Sequence, residues 1–252
     1  MKIFDMDAHP PLTTLSARFI GELDAARFFG RLDAAGIDEI CGTLTPPDGF
    51  FADHPTAEAI RRLNHGALEL AAKNTRYHPA AFVHPDCPEE SMAAISAGAH
   101  IIGGIRGPWL SPEDAHSDAM AEILGYAEKC GAAADLSAAS EAAVTAAAER
   151  FPKLRILCGG RSGSLMMQKA QTLTAHPNVY LNVSSADWNW NYILHERIAT
   201  LPTERLFFGS GYPHTNPAAS AAAVKWELRH APESVLHAVF HNNAAKLLGG
   251  DI

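Results

Sequence analysis

Residues 132–158, AAADLSAASEAAVTAAAERFPKLRILC, contain one full unit of the pattern from which the fold is predicted. The apolar run 132–136 predicts a strand, and the alanine-rich segment 140–151 predicts a helix that ends at Pro152. Residues 155–158 then predict the next strand. A strand, a helix and a second strand in such close succession indicate two parallel strands joined by a helical crossover.

The same unit recurs along the whole chain. The predicted strands cover residues 3–6, 37–44, 80–83, 101–106, 132–136, 155–158, 179–183 and 205–209. The predicted helices cover residues 23–35, 56–74, 89–97, 114–129, 140–151, 164–175, 192–201, 218–229 and 233–248. Eight units in 252 residues are typical of one (β/α)8 TIM barrel, so we predict an α/β fold with a single domain over residues 1–252.

Three further expectations concern the fold. A doubly wound open sheet is the structural alternative, but no G-x-G-x-x-G follows the first strand, which favours the closed barrel. The irregular residues 9–21 are expected to lie over the top of the barrel. Thr56 is the expected N-cap of the helix that follows it.

Composition limits the class of protein. The net charge is −8 and no run of basic residues occurs, which argues against binding to nucleic acid or to an anionic membrane surface. The acidic N-terminus does not resemble a signal peptide, and no segment has the roughly 18 apolar residues that a membrane span needs. We therefore expect a cytoplasmic protein. Its four cysteines form no C-x-x-C pair and are expected to be free thiols.

Polar residues follow the strands at the end where function collects in a β/α barrel. The histidines and arginines among them are cation-capable and would suit a carboxylate, so we expect a small anionic organic substrate. The tryptophans in these loops could line a pocket for a flat ring or simply cover the barrel. The candidates at these strand ends are Asp7, His9, His84, Arg106, Trp109, Asp135, Arg161, Asp187 and His214.

Six stretches in the right order carry a family resemblance. The chain resembles the amidohydrolase superfamily, in particular the branch with aminocarboxymuconate-semialdehyde decarboxylase and 2-pyrone-4,6-dicarboxylate hydrolase. The stretches are residues 3–9 (IFDMDAH), 63–68 with 77–82 (LNHGAL, YHPAAF), 151–160 (FPKLRILCGG), 177–184 (PNVYLNVS), 205–214 (RLFFGSGYPH) and 243–249 (NAAKLLG). The resemblance covers nearly the whole chain and implies a TIM barrel enzyme.

The chain departs from the family at the metal site. Metal-using members hold a divalent ion with H-x-H after the first strand, histidines near strands five and six, and an aspartate after strand eight. Here the first pair reads Asp7 and His9, the strand-six position is Gly160 and the strand-eight position is Gly211. Strand five offers no histidine, although Asp135 could stand in. A catalytic zinc usually needs three protein ligands, so we expect no cofactor. Any Zn²⁺ or Mn²⁺ would bind weakly, through Asp7, His9 and Asp135.

The resemblance and the residues together give a set of site predictions. His9, Asp7 and His214 are the predicted catalytic groups. The predicted substrate-binding groups are Arg106, His84, Arg161, Trp109 and Asp187. For Asp7 and Arg106 a purely structural ion pair remains open, as does a hydrogen-bonding role for His9 without chemistry.

Three functional hypotheses follow. The first is a metal-independent hydrolase or lyase for a carboxylated lactone or ring-cleavage acid, acting by hydrolysis, decarboxylation or isomerisation. The pyrone hydrolases of the family are regarded as metal-independent, although they keep the strand-eight aspartate. The second is a pseudoenzyme that binds a ligand or a homologous subunit. The third is a divalent-metal hydrolase with a rearranged site. Family members are often dimers, so a homodimer is also expected.

Overall fold

In the computed structural model of the chain, eight parallel strands form the centre of the molecule. The structure describes residues 1–17, 21–47, 55–103, 117–137, 139–159, 172, 175–184 and 193–249. Within these residues the strands are β1 Phe4–Asp5, β2 Leu15–Ala17, β3 Gly21–Leu23, β4 Glu39–Gly42, β5 Tyr77–Phe82, β6 Ile101–Gly103, β7 Ala133–Asp135, β8 Arg155–Gly159, β9 Val179–Asn182 and β10 Leu206–Phe207. From β4 to β10 each strand pairs in parallel with the next, and β1 pairs with β4.

Hydrogen bonds between the two ends of this sheet close it into a barrel. The Met6 amide donates to the Phe208 carbonyl at 2.9 Å, and the His9 amide donates to the Tyr212 carbonyl at 2.8 Å. Ala8 and Tyr212 also form a parallel bridge. The first and last strands are therefore neighbours, and the predicted (β/α)8 barrel is confirmed.

Helices follow the strands as the alternation predicts. Their bounds are α1 Ala25–Ala34, α2 Ala57–Lys73, α3 Pro88–Ser96, α4 Asp118–Cys130, α5 Glu141–Arg150, α6 Ile193–Arg197, α7 Pro217–Glu227, α8 Glu233–His237 and α9 Asn243–Leu247. The predicted cap of α2 is confirmed, because the Thr56 side chain accepts from the Ala59 amide. Gly131 ends α4 in the left-handed conformation. The predicted helix 164–175 lies largely outside the described residues.

Two predictions about local structure are wrong in detail. Residues 9–21 are not wholly irregular, because β2 pairs antiparallel with β3. The last predicted helix, 233–248, is interrupted by a π-helical segment at Ala238–Asn242. The Phe208 amide donates to the Val239 carbonyl of that segment at 3.0 Å. A tertiary contact to the last strand thus accompanies the change in helical winding.

The core has two layers. Inside the barrel, large side chains from some strands pack against small ones from others, and the last helix adds Ala244 and Leu247. The interior side chains are Phe4, Met6, Cys41, Ala80, Ile101, Ala133, Leu157 and Phe207. A second, larger layer fills the space between the strands and the helices. No helix among the described residues has the length and apolar character to span a membrane.

Gly42 provides a test of how closely β4 approaches the residues that follow β1. A Cβ atom there would lie 2.2 Å from the Ala8 carbonyl oxygen, which is backbone and cannot rotate away. We expect Gly42→Ala to lower the free energy of unfolding by roughly 1–3 kcal/mol or more, as overpacking does. Gly30→Ala is the matched control, because a Cβ at this exposed position of α1 meets nothing within 4 Å.

Urea denaturation followed by circular dichroism measures both variants. Gly30→Ala should be unchanged or more stable by up to about 1 kcal/mol, since alanine is the better helix former. Equal unfolding midpoints for the two variants would contradict the close approach.

Candidate functional site

Asp7 and His9 form a buried pair at the mouth of the barrel. They follow β1 and are separated by one residue, and Asp7 Oδ1 lies 2.8 Å from His9 Nε2. Both side chains are largely buried, with 12% of Asp7 and 9% of His9 exposed. The structure thus brings together two of the three predicted catalytic groups, and their side chains are hydrogen-bonded to each other.

Thr43 holds the other side of the His9 ring. His9 Nδ1 lies 3.1 Å from the Thr43 carbonyl oxygen and 3.3 Å from its hydroxyl. Because a carbonyl oxygen only accepts, Nδ1 is the nitrogen that donates toward Thr43, and Nε2 faces Asp7. The Thr45 hydroxyl also donates to the His9 carbonyl at 3.0 Å. The contacts to Thr43 and Asp7 therefore fix the orientation of the ring.

Asp5 is a buried carboxyl group that the sequence predictions assigned no role. Its Oδ1 accepts from the amides of Asp7 at 3.1 Å and Ser210 at 2.7 Å, and its Oδ2 accepts from the Ser210 hydroxyl at 2.5 Å. One side chain thus fixes Asp7 to the loop after β10. The signal in the sequence was an acid between the apolar Phe4 and Met6, where a buried carboxyl needs partners.

Burial also changes the acidity of Asp5. Loss of solvation raises its pKa from 3.8 to about 6, and the hydrogen bonds from Ser210 and from the Asp7 amide only partly oppose this rise. Burial likewise raises the pKa of the Cys41 thiol, with smaller contributions from Asp135, Asp5 and Asp7. All four cysteines are free, as predicted, and Cys41 is buried.

A second polar group joins β9 to β10. Asn182 Nδ2 donates to the Gly209 carbonyl at 2.9 Å, and the Ser184 hydroxyl donates to the same oxygen at 2.7 Å. The Ser184 hydroxyl in turn accepts from the Gly209 amide at 2.8 Å. A Cβ at Gly209 would lie 2.6 Å from Asp7 Cβ, so glycine is required where these side chains meet.

Gly211 stands beside the pair. Its amide donates to the Asp7 carbonyl at 2.6 Å, and its φ of +76° is in the left-handed region. A Cβ at 211 would lie 3.6 Å from both Asp7 Oδ2 and Thr215 Oγ1. A side chain at this position would therefore contact the Asp7 carboxylate.

Three other predicted groups have described positions. His84 is buried after β5, and its Nδ1 accepts from the Asp86 amide at 3.2 Å. Asp135, at the end of β7, accepts from the Ser137 amide at 2.9 Å. His214 is exposed. Their functional roles stay predictions.

Four predicted substrate-binding groups have no described position. Arg106, Trp109, Arg161 and Asp187 lie outside the described residues, so their roles also stay predictions.

The donor set of the described residues does not fit a catalytic metal. Among these residues, no group of three or more His, Cys, Asp and Glu side chains is arranged to hold an ion. Asp7 and His9 are directed at each other, and Gly211 supplies no ligand. Two side chains fall short of the three protein ligands that a catalytic zinc usually has.

A family model described as Amidohydrolase matches residues 5–250. No curated protein matches the chain. Several solved structures are similar over nearly their whole length at 14–16% identity, which shows a shared fold alone.

Three of these structures illustrate the range. An uncharacterised TIM-barrel protein from Bordetella bronchiseptica has a TM-score of 0.70 at 16% identity, covering 99% of each chain. A dihydroxybenzoic acid decarboxylase from Polaromonas sp. JS666, with bound manganese and the inhibitor 2-nitroresorcinol, has a TM-score of 0.68 at 15% identity. The match covers 98% of this chain and 97% of the decarboxylase. A probable 2-pyrone-4,6-dicarboxylic acid hydrolase from Acinetobacter baumannii, with citric acid bound, has a TM-score of 0.64 at 14% identity. The match covers 99% of this chain and 100% of the hydrolase.

The raised pKa of Asp5 predicts a pH-dependent stability. Between pH 3.8 and about 6 the folded chain holds the Asp5 proton more tightly than the unfolded chain does. This contribution is fully present at low pH and is lost as the pH rises through about 6. Asp5→Asn removes the proton but keeps an oxygen for the two amides.

The free energy of unfolding of Asp5→Asn, minus that of the wild type, should therefore increase by roughly 2 kcal/mol from pH 4.5 to 7.5. Urea titrations at the two pH values measure it, and subtraction cancels the other titrating groups. A difference that does not vary with pH would contradict the assignment.

Proposed function

Because the chain belongs to the amidohydrolase family, we propose that it is a hydrolase or carbon–carbon lyase that acts on a small carboxylated substrate without a catalytic metal. The observation that carries this proposal is the hydrogen bond between Asp7 and His9 at the barrel mouth. It joins a carboxylate to an imidazole whose far nitrogen is already held by Thr43. Such an arrangement can accept and return a proton.

The pair serves either of two reactions. In lactone hydrolysis it takes a proton from water while the water oxygen bonds to the carbonyl carbon. The ring C–O bond then breaks, and the leaving oxygen receives the proton. In decarboxylation the pair gives a proton to the carbon that loses its carboxylate, the C–C bond breaks and CO₂ leaves. The pair then recovers a proton from solvent.

The substrate class rests on charge and on the related structures. Arg106 and Arg161 are proposed to hold the substrate carboxylate, with His84 beside them and Trp109 against a flat ring. Asp187 is a further proposed contact. The Acinetobacter protein binds citric acid and the Polaromonas protein binds 2-nitroresorcinol, which supports a small, oxygen-rich ligand for this chain.

The metal-free mechanism is supported by what the pair contacts. A metal that used Asp7 and His9 would have to break their mutual hydrogen bond, and Gly211 offers no replacement ligand. The hydrolysis and the decarboxylation are therefore both proposed to proceed without a metal ion. The manganese in the Polaromonas enzyme belongs to that protein.

The loss of metal-ligand positions equally motivates a pseudoenzyme, and a single screen separates the two. Carboxylated lactones, ring-cleavage acids and hydroxybenzoates are tested first for a thermal shift and then for product. Product without added metal is expected. Binding without product would favour the pseudoenzyme, and product only after addition of Zn²⁺ or Mn²⁺ would favour a rearranged site using Asp7, His9 and Asp135.

On the substrate found, we expect Asp7→Asn and His9→Ala each to reduce kcat about 10²–10⁴-fold, the usual worth of a positioned acid or base. His65→Ala is the control, because its side chain is 75% exposed on α2 and contacts Glu69. Its kcat should not change. Wild-type turnover in both site variants would contradict the role of the pair.

A further inference from the structure

We propose that Thr43 holds His9 with a hydrogen on Nδ1, so that the Asp7–His9 pair keeps one further proton and begins its reaction by giving that proton away. This proposal rests on the proposed function, because it decides which of the two reactions the pair performs. Thr43 is a positioning residue in this scheme, since it acts through the His9 ring. The atoms concerned are the two ring nitrogens of His9, one Asp7 oxygen and the two Thr43 oxygens.

The carbonyl oxygen of Thr43 decides which ring nitrogen carries hydrogen. It lies 3.1 Å from His9 Nδ1 and can only accept, so Nδ1 is the donor in this contact. The Thr43 hydroxyl, 3.3 Å from the same nitrogen, can turn its hydrogen away and accept as well. A bare Nδ1 would instead direct its lone pair at the carbonyl oxygen, and the two would repel each other. The hydrogen of a neutral His9 ring therefore belongs on Nδ1.

This tautomer requires a proton on the other side of the ring. With its hydrogen on Nδ1, a neutral His9 can only accept at Nε2, and an ionised Asp7 can also only accept. Yet Nε2 and Asp7 Oδ1 are 2.8 Å apart, which is a hydrogen-bond distance. Two acceptors at this distance need a proton between them, carried as a His9 imidazolium or as a protonated Asp7 carboxyl group. Contacts of the second Asp7 oxygen do not alter this count.

Burial of the pair agrees with this proton. Only 12% of the Asp7 side chain and 9% of the His9 side chain are exposed, and an isolated ionised carboxylate is costly at such depth. The buried Asp5 carboxyl group accepts from the Asp7 amide at 3.1 Å, so a negative charge on Asp7 would have a second acid close by. The shared proton offsets that charge, either by forming an ion pair or by neutralising Asp7.

A pair that already holds this proton is ready to act as an acid. Lactone hydrolysis begins with removal of a proton from water, but the contact between Nε2 and Oδ1 is already occupied by one. Decarboxylation begins with the gift of a proton to the carbon that bears the carboxylate. A C–H bond forms, the electron pair of the C–C bond stays with that carbon, and CO₂ leaves. The pair then regains its proton from solvent, so decarboxylation is the reaction that fits.

Nuclear magnetic resonance of the His9 ring tests the proton count without a substrate. In protein labelled at the histidine nitrogens, proton–nitrogen spectra at neutral pH distinguish a hydrogen on Nδ1, on Nε2 or on both. The His9 signals are those that are missing from His9→Gln and shifted in Asp7→Asn. The carbon shift of the Asp7 carboxyl group gives its protonation.

Two results would agree with the shared proton. Either both His9 nitrogens carry hydrogen beside an ionised Asp7, or Nδ1 alone carries hydrogen beside a neutral Asp7. A hydrogen on Nε2 alone would overturn the proposal, and so would an ionised Asp7 beside a bare Nε2.

Thr43→Val is the matched control for the hydroxyl. It keeps the side-chain shape and the backbone carbonyl, and it removes only the hydroxyl at 3.3 Å. Because the carbonyl sets the tautomer, His9 should keep its hydrogen on Nδ1 in this variant. A tautomer that differs between wild type and Thr43→Val would overturn the proposal, since the hydroxyl would then control the ring.

The choice of reaction is tested with 2,6-dihydroxybenzoate and 2-pyrone-4,6-dicarboxylate, without added metal. Wild type should release CO₂ from the dihydroxybenzoate and leave the pyrone ring closed. Ring opening of the pyrone without release of CO₂ from either acid would overturn the inference and leave the proposed function standing. No turnover of either acid would count against the proposed function, whereas the spectra alone decide where the proton lies.

Discussion

The buried carboxyl group of Asp5 is the contact on which the barrel mouth depends. It lies on the first strand and binds the backbone and side chain of Ser210, which follows the last strand. It also binds the amide of Asp7. A single side chain therefore supports closure of the sheet and sets the position of Asp7. Burial disfavours the charged form of Asp5 and so raises its pKa. Its three hydrogen bonds supply partners for the buried oxygens.

Close backbone approach is the second constraint. Gly42 and Gly209 lie on the two sides of residues 7–9, and a Cβ at either would collide with that segment. These glycines allow Asp7 and His9 to sit deep between neighbouring strands. Gly211 differs from them, because its space contains room for a methyl group. The first two glycines are required by packing, whereas at the third a Cβ would make ordinary contacts with the described atoms of Asp7 and Thr215.

The barrel could be predicted from sequence because its signal is repeated and local. Units such as 132–158 need only a strand pattern, a helix pattern and their order. The hairpin of β2 and β3 and the π-helical segment could not, because three-residue strands carry little periodicity and the π segment accompanies a tertiary contact to Phe208. Within the site, the sequence predicted that Asp7 and His9 both follow the first strand. Their mutual hydrogen bond was not predicted. Thr43, which contacts the far side of the His9 ring, is remote in sequence, and Asp5, which binds the Asp7 amide, was assigned no role.

We infer that Asp7 and His9 bond to each other instead of binding a metal ion. The most direct test is elemental analysis of protein purified without chelators, repeated after incubation with excess Zn²⁺ or Mn²⁺ and desalting. We expect far less than one metal ion per chain in both preparations, with turnover unaffected by chelator. Near-stoichiometric zinc or manganese, lost together with activity when Asp7→Asn or His9→Ala is introduced, would contradict it.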